Sequence, residues 1–226
     1  TAALAMGLAP ISVGIGHFYS MNVFDFLFWS LATLLALRVF ERPTRGGWLA
    51  LGVILGLGLL NKWSVLWLGV GIGAALLLTS HRRLLKTAGP WLAAAVAGLM
   101  FAPHVAWEVR HAWPTLEFMH NARADKMVTL EPARFMLDQV LTLGPGAAPI
   151  WLAGLIAAFT RGRARWRLPA VVYLVTLGIL LASGSARVEY ATLPCAALFA
   201  LGATWWESRG RLARTAIAVV AVVLAI

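Results

Sequence analysis

Nine apolar runs alternate with short polar stretches along the chain, at 1–16, 22–39, 47–60, 63–79, 88–103, 147–160, 168–183, 191–206 and 215–226. None shows the strict two-residue alternation of a half-buried strand, so the pattern predicts helices. Between them lie four short basic stretches and several polar, partly acidic ones. Only one polar interval is long, from His104 to about Gly146. The pattern therefore predicts an all-α polytopic transmembrane bundle of about nine spans. Residues 1–226 form one partial transmembrane domain in this reading, with interfacial helices in the long loop at 104–146.

Composition sharpens this picture. The chain is 61% hydrophobic and 12% charged, where soluble domains run at about 45–50% and about 25%. One soluble core of 226 residues cannot hide that excess, so lipid must act as solvent for much of it. Backbone groups there must be satisfied within helices. The chain opens at Thr1 inside one apolar run and stops at Ile226 inside another, and reads as a fragment. Its one cysteine, Cys195, lies in an apolar run, where an inert buried thiol is expected ahead of a reactive one.

Charge sorts the loops. Arg38, Arg42, Arg45, Arg82, Arg83, Lys86, Arg161, Arg163, Arg165, Arg167, Arg209, Arg211 and Arg214 fall in four basic loops, 13 of the 19 Lys and Arg residues. The alternate loops hold Asp25, Glu108, Glu117, Asp125, Glu131, Asp138 and Glu189, 7 of the 9 acids. The positive-inside rule places the basic loops in the cytoplasm and the others outside. Topology thus explains the net charge of +10, and no nucleic-acid partner is needed. The 47–60 and 63–79 runs are each shorter than the ~20 residues a straight span takes. Both flanks are basic, so the stretch must cross an even number of times. A hairpin with Asn61 and Lys62 at its outer tip satisfies that parity.

Gly52 with Gly56, and Gly69 with Gly73, are spaced for close helix packing in lipid. The 69–73 glycines have the wrong spacing for a dinucleotide loop and follow no strand. No internal repeat of the inverted-transporter kind is visible.

The candidate chemistry lies on the outer side. The long loop carries Trp107, Trp113, Phe118 and Phe135 among charged residues, a composition for helices lying in the membrane interface. It serves either as a cap on the bundle or as one wall of an active site. The polar stretches around it would converge on an outer cavity lined by Tyr19, Asn22, Asp25, Asn61, His104, Glu117 and Tyr190. Lys62 and Arg187 add cations suited to a lipid-linked phosphate. The plain alternative for Lys62 is snorkelling to the interface. His104, Glu108 and His111 share one helical face, a spacing that could hold a divalent metal. No fourth ligand is identifiable, so no metal or other cofactor is expected.

Several stretches resemble the family 39 glycosyltransferases, the protein O-mannosyltransferase-like group of the GT-C superfamily. They are Phe18-Tyr19-Ser20-Met21-Asn22-Val23-Phe24-Asp25 leading into Leu27-Phe28-Trp29, and Gly56-Leu57-Gly58-Leu59-Leu60-Asn61-Lys62. Then come Gly89-Pro90-Trp91, Ala102-Pro103-His104, Trp113-Pro114-Thr115-Leu116-Glu117-Phe118, and Pro149-Ile150-Trp151-Leu152-Ala153-Gly154-Leu155. Their order matches the family across nearly the whole chain. The resemblance implies a multi-pass cell-membrane enzyme that takes a sugar from a polyprenyl-phosphate donor. The acceptor hydroxyl belongs to a glycan, lipid or protein on the extracytoplasmic face. It also implies a catalytic Asp in an outer loop upstream of Thr1, so no catalytic residue is assigned here. Two departures stand out. Arg187 occupies the region where relatives carry a lysine, and His104 stands where Asn after the Pro is common. The competing readings are a transporter or flippase of lipid-linked sugars, which needs polar residues deep in its spans, and a noncatalytic membrane subunit of an envelope assembly.

Overall fold

The computed structural model describes the chain except for residues 127, 130, 161–163 and 224–226. The helices run in the order α1 (Ala2–Leu8), α2 (Pro10–Gly16), α3 (Met21–Glu41), α4 (Arg45–Asn61), α5 (Val65–Leu78), α6 (Ala88–Arg110), α7 (Pro114–Lys126), α8 (Pro132–Leu143), α9 (Ala148–Thr160), α10 (Arg167–Ala182), α11 (Glu189–Thr192), α12 (Cys195–Glu207) and α13 (Arg211–Val223). A 3-10 turn at Ser80–Lys86 joins α5 to α6. The strands β1 (Val128–Thr129) and β2 (Ser185–Ala186) pair antiparallel, Val128 with Ala186 and Thr129 with Ser185. The fold is helical, as the pattern predicts, apart from this short ladder.

Nine crossings are not supported. Three helical stretches among the described residues are long and apolar enough to cross a bilayer: Met21–Glu41, Ala88–Arg110 and Ala164–Ala182. The number rises to five if two bent pairs each count as one span, Val65–Leu78 with Ser80–Lys86 and Pro132–Leu143 with Pro145–Thr160. The reason is length. The 1–16 run breaks before Pro10 into two helices of seven residues. The runs at 147–160, 191–206 and 215–226 yield helices of 13 residues. At 1.5 Å per residue each is roughly 20 Å long, short of the ~30 Å hydrocarbon core.

Helix starts are set locally. The Ser20 side chain accepts from the Asn22 amide to cap α3, and Thr44 accepts from Gly47 to cap α4. The α3 cap moves Met21 to Asp25 out of the predicted loop and into the first turns of a helix. The long interval at 104–146 is likewise shorter as a loop than predicted, because α6 runs on to Arg110. Ala112 and Trp113 then adopt positive φ, 59° and 60°, a rare left-handed pair that turns the chain sharply. Pro114 restarts it as the first residue of α7. The expected helices in this interval are α7 and α8. Asp125 and Lys126, part of its expected charge pattern, have side chains outside the described set, and Arg161 and Arg163 lie outside the described residues.

Two apolar cores form. One gathers Trp29, Trp48, Leu51, Leu68 and Ile72 from α3, α4 and α5 with Ala93 of α6. The other gathers Ile150, Trp151, Leu198 and Phe199 from α9 and α12 with Ile217 of α13. Helix α10 joins them: Leu168, Val171 and Val172 face the first core, Ala170 and Tyr173 the second. Glycines decide the tightest crossings. A Cβ at Gly52 would press on Ala93 and Val96 of α6, and one at Gly56 on Met100. Gly69 and Gly73 behave otherwise, with open space around both; Gly71 between them meets Val172 instead. The closest approach, Gly154 on Gly202 where α9 crosses α12, brings backbone against backbone.

Candidate functional site

The break between α4 and α5 builds the site. Lys62 is the first residue beyond α4, in extended backbone, with its amide still bonded to the Gly58 carbonyl. The break aims the Lys62 ammonium back at α3. It donates to Asn22 Oδ1 at 2.7 Å and lies 3.5 Å from Asp25 Oδ2. Ser64 Oγ donates to the same Asp25 oxygen at 2.7 Å. Asn61 Nδ2 donates to the Met21 carbonyl at 2.9 Å, which ties the break to the start of α3. Asp25 is fully buried and the Lys62 side chain is 13% exposed. The Trp29 indole N–H lies on the Asp25 carboxylate without closing a hydrogen bond of ordinary geometry.

The second half of the site comes from residues 185–190. The Lys62 ammonium sits 4.6 Å from the centre of the Tyr190 ring, cation–π range. Trp67 of α5 packs edge-on against that ring. Arg187, exposed, donates to Glu189 Oε1 at 2.6 Å. The charge of Arg187 reaches Lys62: burial is the main force lowering the lysine's pKa, Asp25 opposes it, and Arg187 adds to the lowering. Glu189 holds the Arg187 guanidinium charged. Burial pushes the Tyr190 hydroxyl up, and Arg187 pulls against it. An ammonium has three N–H donors. Asn22 and Asp25 hold the Lys62 ammonium through its polar contacts, and the Tyr190 ring lies against it.

A third group flanks this one. Trp63, next to Lys62, donates its indole N–H to His104 Nε2 at 3.2 Å. His104 Nε2 is also 3.5 Å from Glu108 Oε1. Glu108 is fully buried although it is a carboxylate. Thr115 explains this, giving its amide to Oε2 at 3.2 Å and its hydroxyl to Oε1. The Trp113-Pro114-Thr115 stretch therefore has a structural duty: it bends the chain so that Thr115 closes over Glu108. His104, Trp107 and His111 stack along the same face of α6, with Trp107 48% exposed. His104 Nε2 is occupied by Trp63, His111 Nδ1 by the Trp107 carbonyl. Among the described residues no group of three or more His, Cys, Asp or Glu could hold a metal ion.

The predicted residues thus divide. Asn22, Asp25, Asn61, Lys62 and Tyr190 gather in one cluster, with Arg187 at its edge and His104 joined through Trp63. Asp25 belongs to the buried floor of that cluster. Tyr19 is 94% exposed and packs on Phe24 instead. Glu117 sits exposed on α7. Ser64 and Thr115 were not among the residues that the sequence marked for the site, whereas Trp63 lay in the polar stretch Asn61-Lys62-Trp63. The position of Ser64 beside that stretch was the available signal.

Comparison with known proteins bears on half of this geometry. Residues 1–107 match the family model of the dolichyl-phosphate-mannose-protein mannosyltransferases, the group that the motifs resemble. The match includes Asn22, Asp25, Lys62 and His104, and it ends ahead of Glu108, the 113–118 motif and Arg187. No curated protein and no solved structure matches the chain.

Proposed function

Starting from the likeness of residues 1–107 to the dolichyl-phosphate-mannose-protein mannosyltransferases, we propose that the protein is a multi-pass enzyme of the cell membrane. It transfers a sugar from a polyprenyl-phosphate donor to an acceptor hydroxyl of a glycan, lipid or protein on the extracytoplasmic face. The observation that carries this reading is the Lys62 ammonium, fixed by Asn22 and Asp25 and within electrostatic reach of Arg187.

The chemistry fits that arrangement. In the transfer, the acceptor oxygen bonds to the anomeric carbon as the bond from that carbon to the phosphate oxygen breaks. A general base takes the acceptor proton, and the electron pair leaves on the lipid phosphate. Negative charge on the departing phosphate is what Lys62 stabilises, with Arg187 as the second cation. Asp25 and Asn22 act as positioning residues. They hold the ammonium in one place before the donor arrives, so little reorganisation is needed as the charge develops. Asp25 is sealed beneath Lys62 and Ser64 and does not act on the acceptor. The bilayer holds the polyprenyl chain and sets the reacting carbon at the depth of the site.

The test is transfer in proteoliposomes made with the full-length protein. A labelled polyprenyl-phosphate mannose is supplied with a membrane extract as the acceptor source. Label moving onto an acceptor with release of polyprenyl phosphate supports the proposal. Movement of intact donor across the bilayer without transfer supports the flippase reading instead.

A further inference from the structure

We propose that a cleft at the basic end of the bundle, between the Ser80–Lys86 turn and the start of α10, binds the phosphate-bearing headgroup of an anionic bilayer phospholipid. The inference is independent of the transfer reaction, since the cleft shares no residue with the Lys62 cluster.

The local fold builds the cleft. Helix α5 ends at Leu78, and the chain then bends by 107° into Ser80–Lys86. A basic segment set nearly at right angles to an apolar helix lies in the headgroup plane when that helix enters the bilayer. The turn is two-sided. Leu84 and Leu85 pack on the first core, while Arg82, Arg83 and Lys86 are exposed. Thr79 caps the turn by accepting from the His81 amide. The Trp91 indole donates to the Leu85 carbonyl at 2.9 Å, which fastens the turn to α6.

The cleft has a volume of about 280 Å³, and its polar lining is Thr79, Ser80, Arg82, Arg83 and Arg167. Three arginines from two separate elements therefore line one space. Among the described residues none of the three has a carboxylate within ion-pair distance. Glu41, the acid of the adjoining basic loop, is taken by Arg165. Guanidiniums favour bidentate bonding to phosphate oxygens. The remaining wall is Leu77 and Leu78, 62% and 72% exposed. Cationic and hydroxyl groups beside bare leucines match an amphiphile, with phosphate in the cleft and acyl chain along α5. Inorganic phosphate would leave the leucine wall uncovered.

The experiment uses the full-length protein in phosphatidylcholine nanodiscs carrying a minor fraction of phosphatidylglycerol. After extraction into detergent, native mass spectrometry counts the phosphatidylglycerol that stays bound. Wild type should retain it, and the triple variant Arg82→Gln/Arg83→Gln/Arg167→Gln should retain about a hundredfold less, the loss expected when three basic residues near a lipid surface are neutralised. The matching lysine triple keeps charge and should retain more than the glutamine triple, which separates loss of binding from loss of fold. The triple variant Arg209→Gln/Arg211→Gln/Arg214→Gln, in another basic loop, should retain as much as wild type. Equal loss in both glutamine triples would reduce the effect to general charge attraction and overturn the site. Undiminished retention in the first triple would overturn it as well. Displacement of bound lipid by millimolar inorganic phosphate would make the cleft a free-phosphate site and overturn the lipid assignment.

Discussion

Lys62 and Asp25 form an ion pair, Nζ to Oδ2 at 3.5 Å, in which the carboxylate has no exposure to solvent. Removing one partner of such a pair leaves a buried charge uncompensated, at a cost of about 3–5 kcal/mol. Asp25→Ala should therefore destabilise the protein strongly, and Lys62→Gln should do so less, because Ser64 still donates to Asp25. The double variant Asp25→Ala/Lys62→Gln should cost less than the sum of the two single changes. Thermal unfolding in detergent measures all three. Strictly additive losses would mean that the pair is not coupled.

The crossing of α9 and α12 sets a second expectation. A Cβ at Gly154 would run into the Leu198 backbone, and one at Gly202 into that of Ile150. Gly154→Ala and Gly202→Ala should each cost about 1–3 kcal/mol through overpacking. Gly69→Ala and Gly73→Ala, facing open space, should stay within about 0.5 kcal/mol of wild type. The same unfolding assay compares the four.

These glycines also show what the sequence could and could not disclose. Spacing marked Gly52 and Gly56 as a packing pair, and α6 does pack there. The same spacing at Gly69 and Gly73 carried no information about which face α5 would turn to its neighbours. That is a tertiary matter, settled when α10 came to rest on Gly71. Helix type was readable because apolar period depends on local geometry alone. Span number was not, because a break at Pro10 or a 92° bend between Leu143 and Pro145 shortens a helix without altering the hydropathy. At the site, Lys62, Asn61 and Asn22 were visible as polar residues interrupting apolar runs. Tyr19 was equally visible, yet Phe24 holds it away. The Glu108–Thr115 bond depends on a left-handed turn at Ala112 and Trp113, residue types that give no such signal.

Topology is open to a direct check. Lys86 belongs to a basic loop and Asn121 to α7, which follows the opposite end of α6. Cysteines introduced singly at positions 86 and 121 should label from opposite sides of intact cells with an impermeant thiol reagent, 121 from outside. Native Cys195 is fully buried and should contribute no background. Labelling of position 86 from outside would invert the orientation.

The lysine also sets a pH limit. Burial lowers the Lys62 pKa more than Asp25 restores it. As pH rises, Lys62 loses its proton below the usual lysine range, and its charge at the phosphate goes with it. Transfer should therefore fall on the alkaline side at a lower pH than an ordinary lysine would give. Lys62→Arg keeps its charge throughout and should flatten that alkaline limb while lowering the rate at neutral pH. A limb unchanged in the arginine variant would assign it to another group.

The rate of sugar transfer by Lys62→Gln is the most direct test of the central claim. The assay is transfer from a polyprenyl-phosphate sugar in membranes holding the full-length protein, normalised to the amount of folded protein. If Lys62 stabilises the departing phosphate, the glutamine variant should lose at least about tenfold in rate, equivalent to roughly 1.4 kcal/mol of barrier. Lys62→Arg should keep part of the activity, because charge survives while reach and geometry change. A glutamine variant that transfers sugar at the wild-type rate would contradict the account and leave Lys62 as the structural partner of Asp25 alone.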